Sequence, residues 1–104
     1  MKFLFNSLGD HIVIERNGQL YAPSGKNIGH YIESKKIFID MKGFYLGEIV
    51  ATNRLLYRID NAYINTCFGA YGDYENIGNY GNRWNCGSIG QVSGFEDIVA
   101  ERLI

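Results

Sequence analysis

The chain has 104 residues and a formal net charge of −1, with ten Lys and Arg against eleven Asp and Glu. This length supports one domain with a single modest core. The near-neutral charge, without any basic run, argues against electrostatic capture of nucleic acid or of an anionic membrane. The hydrophobic share of 46% is typical of a globular protein, and thirteen Gly with eight Tyr favour turns and strands over helix.

The N-terminal segment and the cysteines indicate a cytoplasmic protein. Residues 1–6 lack the apolar stretch of a signal peptide, and no segment is apolar for long enough to span a bilayer. Cys67 and Cys86 are too few and too unpatterned for a disulfide scaffold. We expect reduced thiols, with a single Cys67–Cys86 bridge as the alternative.

Residues 3–68 carry a repeat of 16 to 18 residues. Its register residues are Leu4, Leu20, Phe38 and Leu56; five positions later stand Gly9, Gly25, Gly43 and Asn61, and eight positions later Ile12, Ile28, Leu46 and Ile64. Each copy reads apolar strand, turn, apolar strand, which predicts a β-hairpin. We therefore expect a mainly β fold of four successive hairpins, either closed into a petal-like or barrel-like array or packed as two sheets.

Two glycines recur inside the predicted strands. Gly29 and Gly47 directly follow Ile28 and Leu46 of the repeat. A glycine within a strand marks either a bend or the close approach of another backbone. Both interpretations stay open at these positions.

Residues 69–92 have a period of three, with Gly in most first positions and Asn in four of the second positions. This period matches the polyproline II helix, whose backbone groups need partners elsewhere. A straight rod of this length would extend roughly 74 Å, far beyond a domain with a radius of gyration of about 13 Å. We expect short extended legs that pack on the hairpins with their Tyr and Ile buried; the alternative is a run of Gly/Asn turns.

Residues 95–104 show a helical pattern of apolar side chains. Phe95, Ile98, Val99 and Leu103 fall on one helical face, and Glu96 and Asp97 suit a helix start. This pattern predicts a short C-terminal helix. The helix would either cover an open end of the β array or provide a homo-oligomer contact.

Three motifs resemble the small bacterial four-fold beta flower proteins. They are residues 18–25, residues 45–50 with 53–56, and the run 76–82, which occur in order within roughly residues 18–90. The resemblance implies a petal-like β architecture and supplies no catalytic residues. Trp84 and Cys86 depart from the simpler Gly/Asn triplets expected there.

One constellation suggests acid–base chemistry. His30, Glu48 and Thr66 stand ten positions after successive register residues. If the copies are related by a rotation, the three side chains form a ring in which His30 and Glu48 share a ligand or transfer protons. The alternative, which we favour, places them on solvent-facing sides of strands.

The triplet segment also supplies candidate ligand-binding aromatics. Tyr71, Tyr74, Tyr80 and Trp84 suit stacking on a ligand; the alternative, which we favour, is that they pack in the core. No phosphate loop, metal-ligand spacing or cofactor motif is present, so we expect neither metal nor cofactor.

Three functional hypotheses follow. The first is a non-enzymatic β module that binds a small ligand or a protein partner. The second is a small enzyme that uses His30 and Glu48. The third is a structural homo-oligomer subunit that associates through Phe95, Ile98, Val99 and Leu103.

Overall fold

A computed structural model describes the whole chain, Met1–Ile104, and shows a mainly β fold. The strands are β1 (Lys2–Phe5), β2 (His11–Arg16), β3 (Gln19–Tyr21), β4 (Asn27–Ile32), β5 (Ile37–Asp40), β6 (Tyr45–Val50), β7 (Arg54–Arg58) and β8 (Phe95–Asp97). Neighbouring strands in this order pair antiparallel, and β1 also pairs with β7 in parallel at Phe5 and Arg54. Seven strands thus close into a barrel, and β8 is an additional strand on β7. The barrel alternative is confirmed.

Three hairpins share the same turn and the same irregularity. Their tips are Gly9, Gly25 and Gly43, with φ of 90°, 95° and 97°, a left-handed backbone that glycine adopts most readily. In each hairpin the pairing register shifts, and the additional residues are Ile12, Ile28 and Leu46. The repeat position eight residues after the register residue is therefore a β-bulge.

Gly29 and Gly47 are sites of close backbone approach. A Cβ atom on Gly29 would lie 2.6 Å from the carbonyl oxygen of Ile39, and one on Gly47 would lie 2.8 Å from that of Leu56. Neither position leaves room for a side chain without a shift of the neighbouring strand. The close-approach interpretation is confirmed.

The barrel interior is filled by aliphatic side chains and Phe38. The cluster of ten buried residues is Leu4, Val13, Leu20, Ala22, Ile28, Phe38, Leu46, Leu55, Ile98 and Leu103. Three of the four register residues, Leu4, Leu20 and Phe38, belong to it. A second cluster of Ile37, Ile39 and Tyr45 packs against Tyr63, Ile64 and Phe68, so residues 63–68 cover the other face of β5 and β6.

The fourth hairpin is not confirmed in the predicted span 3–68. Its first strand is β7, but the residues directly after β7 form turns, and the second antiparallel partner of β7, besides β6, is β8 from the other end of the triplet segment. The predicted helix over 95–104 is likewise not confirmed. Its first residues form β8, because the edge of β7 offers hydrogen-bond partners, and only Ala100–Leu103 form a 3₁₀ turn.

Residues 69–92, called the strap below, wrap around the barrel without forming strand or helix. The first anchor is the amide of Phe68, which donates to Gly43 O at 2.8 Å. The amides of Ile77 and Cys86 then donate to Gly25 O and Gly9 O, both at 3.0 Å. The chain thus meets the three hairpin tips in reverse order, once every nine residues, and the radius of gyration stays at 12.8 Å.

The strap is a series of turns and not a polyproline II helix. Gly78, Gly81 and Gly87 have φ of 91°, 63° and 92°, far from the −75° of that helix. The amide of each donates to a side-chain oxygen two residues earlier, from Asn76, Asn79 and Asn85 respectively, at 2.7–2.8 Å. The period of three reflects these Asn-x-Gly turns, so the turn alternative is the correct one.

Candidate functional site

The four aromatic side chains of the strap are exposed to different degrees. Trp84 is 92% exposed, and Tyr71, Tyr74 and Tyr80 are 45%, 57% and 37% exposed. The prediction that the strap tyrosines form a buried edge is therefore wrong, and Ile77 is the half-buried apolar residue of the strap's middle. The strap is held mainly through its backbone, which leaves the exposed parts of these four side chains, called the strap surface below, available for contact.

Trp84 lies between two fixed points of the backbone. On one side, the amide of Arg83 donates to His11 Nδ1 at 3.1 Å; on the other, the amide of Cys86 donates to Gly9 O at 3.0 Å. Trp84 also occupies a triplet position that glycine holds elsewhere in the strap. The indole therefore projects from an anchored segment.

His11 is a buried imidazole held in its neutral form. Because the Arg83 amide can only donate, Nδ1 must be unprotonated, and Nε2–H then donates to Val13 O at 3.0 Å. Burial is the main reason why the pKa of His11 is lowered, and the Arg83 cation lowers it further against the opposing bond to Val13. The Arg83 guanidinium sits 4.0 Å from the ring centre of Phe3, whose ring meets His11 edge-on.

His30 is buried beneath the first part of the strap. Its ring lies 4.6 Å from that of Tyr71 and 6.3 Å from that of Tyr74, between ring centres. Nδ1 bonds to Gln19 Oε1, and Nε2 is buried without a hydrogen-bond partner. Burial lowers the pKa of His30, and the nearby Asp73 carboxylate acts in the opposite direction.

Glu48 belongs to a separate polar cluster on β6 and β7. Its Oε2 accepts from the Tyr45 hydroxyl at 2.7 Å and from Asn61 Nδ2 at 3.0 Å, and Arg58 Nε lies at 3.4 Å. Burial and this carboxylate together raise the pKa of Tyr45 above its ordinary value. The tyrosine hydroxyl also accepts the amide of Arg58, so the cluster fixes the chain after β7.

The predicted ring of His30, Glu48 and Thr66 is not assembled. No hydrogen bond joins any two of them; β5 separates β4 from β6 in the sheet, which corresponds to about 10 Å between the strands. His30 is buried under the strap, whereas Thr66 is exposed in a turn. The three positions therefore share no axial site.

The C-terminal apolar residues do not present one exposed face. Ile98 and Leu103 are 8% and 6% exposed and belong to the barrel core, and Phe95 is half-buried in β8. Val99 and Ile104 are exposed. The segment mainly closes the core. The surface available for the predicted homo-oligomer contact is therefore smaller than the sequence indicated.

Sequence reasoning missed His11 and Arg83. Neither residue was a sequence candidate, because the hydrogen bond between them joins residues 72 positions apart. The signal in the sequence was the triplet position of Arg83, where the other third positions hold apolar residues, tyrosine or cysteine.

The two thiols are free and exposed, so the Cys67–Cys86 bridge is absent. No group of three or more His, Cys, Asp or Glu side chains is arranged to hold a metal ion. No helix in the structure has the length and hydrophobicity needed to cross a membrane.

Comparison with protein-family models, curated proteins and solved structures gives no match for this chain. The resemblance to the four-fold beta flower proteins therefore stays a prediction that rests on the three motifs alone.

Proposed function

We propose that the protein is a non-enzymatic binding module that docks onto a protein partner through the strap surface. The observation that carries the proposal is the 92% exposure of Trp84 on a segment whose backbone is hydrogen-bonded on both sides. An exposed indole adds nothing to folding, while Trp, Tyr and Arg are the residues that dominate binding energy at protein interfaces. Tyr80, Arg83 and Trp84 place all three residue types within one short stretch.

The projecting geometry favours a protein partner over a small ligand at this surface. Small-molecule sites are concave and cover most of the ligand, whereas an indole with 92% of its surface free has almost no neighbouring walls. A protein partner supplies the missing walls by receiving the indole in a pocket of its own. Burying an aromatic side chain of this size contributes a large share of the binding free energy of a typical hot-spot residue.

The two other hypotheses draw less support from the geometry. A His30–Glu48 acid–base mechanism requires the two groups near one reacting atom, and they lie on different strands with separate partners. A homo-oligomer contact through residues 95–103 would have to use Val99, since Ile98 and Leu103 are buried.

Site-specific photo-crosslinking in the cells that naturally make the chain tests the proposal. A benzophenone amino acid is placed at Trp84, and in a matched control at Ile59, which is 57% exposed and lies outside the strap. We expect a defined protein adduct from position 84 that is absent from position 59. The purified partner should then bind the Trp84→Ala variant about 30-fold more weakly than the wild type, and the Ile59→Ala variant unchanged.

Two results would count against the proposal. Equal affinity of the wild type and Trp84→Ala would remove the indole from the interface. Adducts that form only with a second copy of this chain would instead support the homo-oligomer hypothesis.

A further inference from the structure

The barrel has a cavity lined by apolar and charged side chains at the end away from the hairpin tips. Its volume is about 500 Å³, and it is lined by Lys2, Glu15, Tyr31, Lys36, Phe38, Glu48 and Ile49. These residues lie near or beyond the strand ends opposite Gly9, Gly25 and Gly43. We call this cavity the barrel mouth; it shares no residue with the strap surface.

Strand alternation turns the mouth residues toward the barrel axis. Side chains two residues apart in a strand share a face. Lys2 therefore faces the same side as the core residue Leu4, and Glu15 the same side as Val13. Ile49 lies two residues after Gly47, whose side-chain face approaches the core residue Ile98, so Ile49 faces the core as well. The mouth is thus continuous with the core.

The floor and one wall of the mouth are aromatic. The ring of Tyr31 lies 4.8 Å from that of Phe38, with an angle of 48° between their planes. Phe38 is 2% exposed and belongs to the core, whereas Tyr31 is 36% exposed at the rim. Ile49, 37% exposed, adds an aliphatic contact on β6. A flat apolar group entering the mouth would meet rings below it and beside it.

The charges at the rim are unevenly satisfied. The two ion pairs of the protein are Arg58–Glu48 and Arg102–Asp40, so the ammonium groups of Lys2 and Lys36 have no carboxylate partner. Glu15 already accepts the amide of Gly18 at 2.8 Å, and Glu48 accepts from Tyr45 and Asn61. Because Arg58 offsets Glu48, the two lysine ammonium groups stand against the single carboxylate of Glu15, and the mouth keeps one net positive charge beside its aromatic floor.

We propose that the barrel mouth binds a small aromatic carboxylate. The ring packs against Tyr31 and Phe38, and the carboxylate accepts hydrogen bonds from the lysine ammonium groups. Barrel mouths are a common place for small-molecule sites, and this volume accommodates a ligand of one or two rings. The site goes beyond the proposed docking function and does not depend on it.

Titration with phenylacetate, followed by amide and side-chain NMR shifts, tests the proposal. We expect saturable shifts at Tyr31, Lys36 and Ile49, with no change at Trp84. Acetate, which lacks the ring, and phenylethanol, which lacks the charge, should each bind at least about tenfold more weakly.

Two variants give the matched comparison. The double substitution Lys2→Gln and Lys36→Gln should weaken phenylacetate binding about tenfold while leaving the strand amide shifts in place. The Trp84→Ala variant should bind phenylacetate as the wild type does. The proposal fails if phenylacetate gives no saturable shifts, if the double variant binds equally well, or if the shifts fall on the strap.

Discussion

The two ends of the barrel are built in opposite ways. At the tip end, glycine turns meet the backbone of the strap, and the contact uses amides and carbonyls. At the mouth end no strap passes, and long side chains line a cavity. The difference shows how a small protein frees side chains for recognition. Where the backbone supplies most of the attachment, as in the strap, a side chain such as Trp84 is not needed to hold it.

The largest loss of unfolding free energy is expected when the contact between the strap and the hairpin tip at Gly25 is broken. This residue has φ of 95°, and a Cβ atom there would collide with Gly78 O and with Asn76 Oδ1 of the strap. The Gly25→Ala variant should lose about 2–3 kcal/mol of unfolding free energy, from left-handed strain and the displaced Ile77–Gly25 hydrogen bond. Denaturant unfolding measures this loss.

Gly72→Ala is the matched control for that prediction. Gly72 lies in the strap, but its φ is not positive and no atom lies within 4 Å of the added Cβ. Its unfolding free energy should stay within about 0.5 kcal/mol of the wild type. Equal losses of unfolding free energy in the two variants would mean that the close contact between tip and strap does not contribute to stability.

A smaller loss of unfolding free energy is expected at acidic pH, because acid protonates the His11 side chain that contacts the strap. The pKa of His11 is lowered in the folded protein, so below about pH 6.5 the unfolded chain binds more protons. Stability from this group is complete above that pH and falls as the pH drops toward the folded pKa. The lowered pKa of His30 acts in the same direction. Protonation of His11 also removes the acceptor for the Arg83 amide.

The His11→Gln variant isolates this contribution. Since glutamine does not titrate, its unfolding free energy should fall less between pH 7 and pH 5 than that of the wild type. The anisotropy of Trp84, the single tryptophan, should fall with acid in the wild type as the neighbouring backbone is released. A parallel pH dependence in both proteins would exclude His11 as the source.

The smallest effect is expected from removing the projecting indole. Trp84→Ala removes a side chain that is 92% exposed, so the unfolding free energy should change by less than about 0.5 kcal/mol. Thermal or denaturant unfolding checks this value. A loss above about 1.5 kcal/mol would mean that the indole packs on the protein and is not reserved for a partner.

The sequence predicted the parts of the fold that depend on local chemistry. The glycines at positions 9, 25 and 43 identified three tips, because only a few residue types tolerate the left-handed turn. The pairing of β7 with β8 was missed, because it joins segments on either side of the strap. The helical pattern over 95–104 was overridden by the free edge of β7, which outweighed a weak local preference.

The site was harder to predict than the fold. A period of three fits both a polyproline II helix and a series of Asn-x-Gly turns, and it does not say which face is buried. Tyr71 and Trp84 were named as candidate ligand-binding residues, which stays a prediction, and their exposure follows from the backbone anchoring of the strap. Lys2 and Tyr31 share a cavity only because the barrel closes, so the sequence alone could not predict the mouth.

Hydrogen exchange of the strap amides, measured residue by residue, tests the central claim most directly. If hydrogen bonds of its own backbone anchor the strap, the amides of Ile77, Tyr80, Cys86 and Ile89, which donate to hairpin carbonyls, should be protected. The amide of Trp84, which has no acceptor within the protein, should exchange freely. Exchange of the Ile77, Tyr80, Cys86 and Ile89 amides at the rates of an unfolded chain would contradict the account.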